Sequence, residues 1–167
     1  MKSLKNEPNL RNDARHTKLN CEVGNEALNL RNPMANTSSQ IDVLAVDDDP
    51  EFAGYVAGVA KEIGLKAEAV TDPAQFAARC EKLHPLIVVL DIEMPSISGL
   101  QLAQWLGEHS RSTGIEVRLI VLSGRGEEMI RLCQSVGAIS GLRDIIALAK
   151  PVEFSVLAQA LKGKSSR

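Results

Sequence analysis

Four short groups of reactive side chains stand out in this chain, each directly after an apolar run. Asp47, Asp48 and Asp49 follow IDVLAV, Asp91 follows LIVVL, Ser123 and Gly124 follow VRLIVL, and Lys150 with Pro151 follows IIALA. Carboxylates crowded at one place repel one another, and a hard divalent cation with oxygen ligands relieves that repulsion most readily, Mg2+ above all. Asp47, Asp48 and Asp91 are the candidate ligands. A phosphoryl group arriving there meets the metal, the Ser123 hydroxyl and the Lys150 ammonium, all placed to neutralise its oxygens. Asp91 is then the acceptor, through its carboxylate. Gly124 leaves room beside Ser123, where a larger side chain would crowd the incoming group.

The elements that must position these residues follow from the apolar pattern. From Ile41 onward, short apolar runs alternate with helix-length amphipathic stretches, the rhythm of a parallel α/β sheet. The runs predict strands over Ile41–Val46, Lys66–Val70, Leu86–Leu90, Val117–Leu122 and Ile145–Ala149. The central ones read as nearly continuous Val, Ile and Leu, as strands buried on both faces do. Helices are expected over Pro50–Ile63, Pro73–Lys82, Gly99–Ser110, Gly126–Val136 and Glu153–Lys162. Asp49-Pro50 and Asp72-Pro73 each supply a cap followed by proline at the first helical position. In the first helix Phe52, Val56, Val59, Ala60 and Ile63 form the stripe expected to face the sheet. The fold class is therefore α/β, a doubly wound five-stranded parallel sheet of the (βα)5 type. In such a sheet ligands bind beyond the carboxyl ends of the strands, where all four reactive groups fall.

Composition narrows the functions. With 167 residues, 44% hydrophobic, the chain can build one domain with a true core. Nineteen Lys and Arg against 21 Asp and Glu give a net charge of -2, which supplies no basic field for nucleic acid or an anionic membrane. No apolar run approaches the ~20 residues of a bilayer span, and the start lacks a signal peptide's apolar stretch, so a cytoplasmic location is expected. Cys21, Cys80 and Cys133 share no metal-ligand spacing and read as reduced packing residues. Residues 1–40 are rich in Asn with scattered apolar side chains, the composition of a disordered arm, although such an arm could also dock a partner. The expected organisation is this arm, a domain over 41–163, and a short tail over 164–167.

At these residues the sequence resembles the receiver domains of two-component response regulators, over roughly Ile41 to Leu161. The match comprises Asp47-Asp48 in VLAVDDDP, the acceptor motif DxxMPxxxG from Asp91 to Gly99, Ser123-Gly124 and Lys150-Pro151. The resemblance implies phosphorylation of Asp91 by a phosphohistidine on a sensor histidine kinase or phosphotransfer protein. It implies Mg2+ held by the Asp48 and Asp91 side chains and the Glu93 backbone carbonyl, with Asp47 acting through water. Ser123 and Lys150 would contact the phosphoryl oxygens and carry the switch, and the chain would be a signalling protein rather than an enzyme, although it catalyses its own phosphoryl transfer and autodephosphorylation. The signal would alter the surface of the helix at Gly126–Val136, the strand at Ile145–Ala149 and the helix at Glu153–Lys162, where an unknown downstream protein or a second copy could bind.

Two departures qualify the resemblance. Ala147 stands where receivers carry Tyr or Phe, so the family's aromatic switch is missing. The stretch between Val136 and Lys150 is longer than usual and resembles receivers attached to cyclic-di-GMP phosphodiesterase domains, yet the sequence ends at Arg167, from which a stand-alone receiver is expected. Partner specificity is expected around Ser140–Arg143. Glu93 and Arg125, each two positions past Asp91 and Ser123, could pair across the mouth and exclude water; two solvated charges worth little are the alternative. Asp49 is expected to cap a helix, His84 and His109 to serve surface or capping roles, and Trp105 and Phe76 to pack. The competing functions are a haloacid-dehalogenase-like phosphohydrolase, with Asp47 as nucleophile and Asp49 as acid/base, and a phosphorylation-independent binding module.

Overall fold

The computed structural model describes residues 40–124, Arg131, Gln134, Ser135, Gly137, Ala138 and residues 141–163. The N-terminal arm, the tail, Cys21, Cys133, Arg125 and Ser140 lie outside the described residues, as does most of the helix expected over Gly126–Val136. Arg131, Gln134 and Ser135 within that stretch are helical.

Five parallel strands form one sheet in the order β2-β1-β3-β4-β5: β1 Val43–Val46, β2 Ala67–Val70, β3 Ile87–Asp91, β4 Arg118–Ser123 and β5 Ile145–Ala149. Helices α1 Pro50–Glu62, α2 Phe76–Leu83, α3 Gly99–Thr113 and α4 Phe154–Lys162 connect or follow them. Successive strand residues point to opposite faces, so each central strand feeds two cores. Leu44, Val46, Val88, Leu90, Leu119 and Val121 pack with Phe76 of α2 and Leu106 of α3. Val43, Ala45, Val89, Ile120 and Leu122 pack with Val56 of α1 and Leu157 of α4. This two-sided burial is why the strands are apolar throughout rather than alternating.

Apart from the helix expected over Gly126–Val136, the expected elements are present, most with shifted ends. β3 and β4 run one residue further than expected, so Asp91 and Ser123 are the last residues of their strands rather than the first beyond them. The helix expected over Pro73–Lys82 is instead a 3-10 turn, Pro73–Gln75, that passes into α2. Asp72 caps the turn, accepting the Ala74 N–H at 3.0 Å. α3 extends to Thr113 and stops at Gly114 in the left-handed region, φ 72°. The buried stripe of α1 is Ala53, Val56, Ala57, Val59 and Ala60, with Phe52 and Ile63 only half-buried at its margins. Asp49 caps α1 as expected, its Oδ1 accepting the Glu51 N–H at 2.9 Å. His84 caps the end of α2 in the left-handed region, φ 46°. Phe76 and Trp105 pack edge to face, and His109 stacks on Trp105.

One buried cation opens β4, ahead of its apolar run Leu119 to Leu122. Arg118, 5% exposed at the amino end of the strand, directs Nε and Nη2 to Asp144 Oδ2 at 2.7 and 2.6 Å. Its Nη1 donates to the carbonyl oxygens of Ala160, at 3.2 Å, and Gly163. The guanidinium thus joins β4, the residue before β5 and the last turn of α4. No described helix is long and apolar enough to cross a membrane.

Candidate functional site

The strand order places a topological switch point between β1 and β3: the connection from β1 leads to β2 on one side, and the chain then returns to β3 on the other. A crevice opens beyond the carboxyl ends at such a point. Register fixes what lies there. Val46 of β1 pairs with Leu90 of β3, so Asp47 and Asp91 project from neighbouring strand ends. Asp91 pairs with Leu122, and Ser123 pairs with Ala149, which brings Ser123 and Lys150 to the same edge. The Lys150 backbone N–H donates to the Ser123 carbonyl at 2.9 Å.

Asp47 is 3% exposed, Asp91 4% and Ser123 1%, whereas Asp48 and Glu93 are exposed. One carboxylate oxygen from each of Asp47, Asp48 and Asp91 lies within 4.8 Å of the others. Lys150 reaches into this group, its ammonium 2.7 Å from Asp47 Oδ2 and 3.2 Å from Asp91 Oδ2. Asp47 Oδ1 accepts the Asp49 N–H at 2.9 Å. Asp91 Oδ1, in contrast, is buried with no hydrogen-bond partner among the described residues. A buried charged oxygen left so is costly to maintain, and a cation among the three carboxylates would satisfy it.

The electrostatics fit that reading. Burial raises the Asp47 carboxyl pKa; the Lys150 hydrogen bond and the Asp49 N–H offset part of this, and the Asp91 charge adds to it. Burial pulls the Lys150 ammonium down, but hydrogen bonding to Asp47 and the charges of Asp47 and Asp91 outweigh it, so the net direction is up. Lys150 therefore stays charged as the counter-ion of two acids.

The loop after Asp91 is pinched at its neck. The Gly99 N–H donates to the Ile92 carbonyl at 3.3 Å, and a Cβ at Gly99 would lie 2.7 Å from Ile92 Cα and closer still to the Asp91 carbonyl oxygen. Only glycine fits. A Cβ at Gly124 would meet Glu93 Oε2 at 3.5 Å, an ordinary contact, so a methyl group fits there and crowding begins only with larger side chains.

A family model for the response regulator receiver domain matches residues 43–162. The chain belongs to this family. It carries a receiver domain, the phosphoryl-accepting switch of two-component signalling. It is 29% identical over 125 residues to the transcriptional regulatory protein TrcR of Mycobacterium tuberculosis, an alignment covering 75% of this chain and 45% of that one. It is 33% identical over 96 residues to the C4-dicarboxylate transport transcriptional regulatory protein DctD of Pseudomonas aeruginosa, covering 57% and 20%. The receiver thus spans less than half the length of these relatives. Among solved structures, the chemotaxis protein CheY4 of Vibrio cholerae shares its fold with TM-score 0.61 at 20% identity, over 73% of this chain and 96% of that one. A CheY-like receiver domain protein of Methanospirillum hungatei gives TM-score 0.59 at 21% identity, over 74% and 92%. The family match sets aside the phosphohydrolase, and Asp49, its would-be acid/base, has a capping role.

Two neighbours of the site went unremarked in the sequence. The Phe52 ring packs against the sheet-side core as expected and also lies against the Lys150 ammonium, 4.2 Å from Nζ to ring centroid. The Tyr55 hydroxyl donates to the Val152 carbonyl at 3.1 Å. Their signal was helical spacing: Phe52 lies four residues past Asp48, on the turn of α1 nearest the site. The proposed partner of Glu93, Arg125, lies outside the described residues.

Proposed function

We propose that Asp91 is the phosphoacceptor of this receiver and that Asp47, Asp48 and Asp91 hold its Mg2+, with the Glu93 backbone carbonyl completing the protein ligands. The observation that carries this reading is the unpartnered buried Asp91 Oδ1 beside a carboxylate cluster. Receiver domains bind Mg2+ at such an acidic pocket, and the bound ion would screen the charge of the acceptor and the incoming phosphoryl oxygens. The rest is done by the chain itself. The Asp91 carboxylate attacks the phosphorus of a phosphohistidine in line; the O–P bond forms as the P–N bond breaks, and the departing imidazole nitrogen takes up a proton. Lys150, already 3.2 Å from Asp91 Oδ2, turns to a phosphoryl oxygen, and the Ser123 hydroxyl donates to another. Burial of Asp47 and Asp91 removes bulk water and strengthens each of these interactions.

The donor is a sensor histidine kinase or a phosphotransfer protein. Phosphorylation adds roughly one to two negative charges at Asp91, and the shift of Ser123 and Lys150 alters the surface around β5 and α4, where a downstream protein or a second copy binds. The receiver unit occupies 41–163, after an arm over 1–40.

The test is intact-mass spectrometry after incubation with Mg2+ and a small acyl phosphate. Wild type gains one base-labile phosphoryl group and Asp91→Asn gains none. An adduct that persists in Asp91→Asn and vanishes in Asp47→Asn overturns the assignment.

A further inference from the structure

Lys150 is held from two sides. Below it are Asp47 and Asp91; above it is the Phe52 ring. A ring face attracts an ammonium through its quadrupole, more strongly where water is excluded, and the Lys150 side chain is only 23% exposed. Phe52 is itself braced: its ring meets that of Tyr55 at 5.8 Å between centroids and 51° between planes. Tyr55 in turn bonds Val152, two residues past Lys150 on the same turn. The contacts close a loop from Lys150 through Phe52 and Tyr55 to Val152, bridging the turn after β5 and the outer side of α1. Tyr55 is 37% exposed, so this loop ends at the surface. Position 147 on β5 is alanine, and no other aromatic ring among the described residues lies on Lys150.

We propose that Phe52 is the positioning residue of Lys150, seating its ammonium against the acceptor, and that the Phe52–Tyr55 pair carries the displacement of Lys150 to the exposed side of α1. The inference rests on Asp91 being the acceptor. A phosphoryl group on Asp91 draws the ammonium outward to a new oxygen, off the ring centre. Phe52 then loses its cation, and Tyr55, packed on Phe52 and tied to the turn that carries Lys150, moves with both. The α1 surface would thereby differ between the two states, through a route that needs no aromatic side chain on β5.

Tyr55 is the only tyrosine of the chain. Full-length protein grown with 3-fluorotyrosine therefore gives one protein fluorine resonance, and beryllofluoride, a mimic of the acyl phosphate, adds its own bound-fluorine signals to the same spectrum. With Mg2+ and beryllofluoride, wild type is expected to show the bound signals and a shifted Tyr55 resonance. Phe52→Leu, which keeps apolar volume and loses the ring, shows the bound signals with Tyr55 unshifted, and Phe52→Trp restores the shift. Phosphorylation by acetyl phosphate slows about three- to tenfold in Phe52→Leu and stays within about twofold of wild type in Phe52→Trp. Bound beryllofluoride with an unmoved Tyr55 resonance in wild type, or unchanged phosphorylation in Phe52→Leu, overturns the inference and leaves Asp91 as acceptor. Absence of bound beryllofluoride in wild type overturns both.

Discussion

The two ends of the sheet each bury a charge, and they treat it in opposite ways. At the amino end, Arg118 directs its donors to a carboxylate and two backbone carbonyls, and the guanidinium is spent on holding β4, β5 and α4 together. At the carboxyl end, Asp91 is as deeply buried, yet one of its oxygens has no partner among the described residues and the other shares Lys150 with Asp47. A buried charge whose hydrogen bonds are filled is a fastening. One left incomplete is a place kept for a ligand.

The sharpest way to break this contrast is to remove one charge from each end. Asp91→Asn is expected to cut phosphorylation by at least about a hundredfold, the scale of losing the nucleophile, while urea unfolding changes by no more than about 1 kcal/mol, since a repelling charge leaves with it. Arg118→Met is expected to do the reverse, lowering unfolding free energy by about 3 kcal/mol by breaking a buried pair and leaving the phosphorylation rate within about twofold. Equal stability of Arg118→Met and wild type would end the comparison. A ligand should act on one end only. Mg2+ at about a hundred times its dissociation constant stabilises the wild type by about 2.7 kcal/mol, an effect that chelation reverses and that Asp91→Asn loses, read as the shift in unfolding midpoint.

Smaller effects sharpen the picture. Asp144→Asn leaves Arg118 its carbonyl partners and removes a carboxylate that is 40% exposed, so a loss of about 1 kcal/mol is expected in urea unfolding. The smallest is a pH effect. The folded-state pKa of Lys150 is raised above the ordinary 10.5, so its attraction to Asp47 and Asp91 contributes stability in full below pH 10.5 and loses it as pH rises through the folded value. The stability gap between wild type and Lys150→Met should narrow over that window, while the gap to Arg118→Met stays constant because the guanidinium does not titrate. The buried Cys80 thiol, pushed up to about 12, titrates in all three proteins and cancels from both differences.

The carboxyl end was far more legible in the sequence than the amino end, for a physical reason. Asp47, Asp48, Asp91, Ser123 and Lys150 each break an apolar run at its end, and parallel strands must bring such breaks together. The sheet itself was legible too, because strands buried on both faces leave long Val, Ile and Leu runs, as in β3. Arg118 sits inside such a run, and its partners lie 26, 42 and 45 residues away, at distances no local pattern encodes. The packing of Phe52 was legible, but its contact with Lys150 was not, because a half-buried aromatic at a helix margin reads as part of a core stripe whether or not it also seats a cation. The 3-10 start at Pro73 was not legible because Asp72-Pro73 and Asp49-Pro50 are the same cap-and-proline pair with the same cap bond, and propensity alone does not resolve which backbone follows.

The pinch at Gly99 also bears on how such a switch can diversify. Because the chain closes on itself between Ile92 and Gly99, the residues from 93 to 98 hang from a fixed neck like a pendant from a clasp. Met94 and Ile97 pack into the core beside α3 and Ser98 caps that helix, so only the exposed Glu93, Pro95 and Ser96 can gain or lose charge and bulk over the mouth of the crevice without dragging Asp91 out of register. The mouth of the crevice can thus be altered at those three positions, generation by generation, while the scaffold around Asp91 stays untouched.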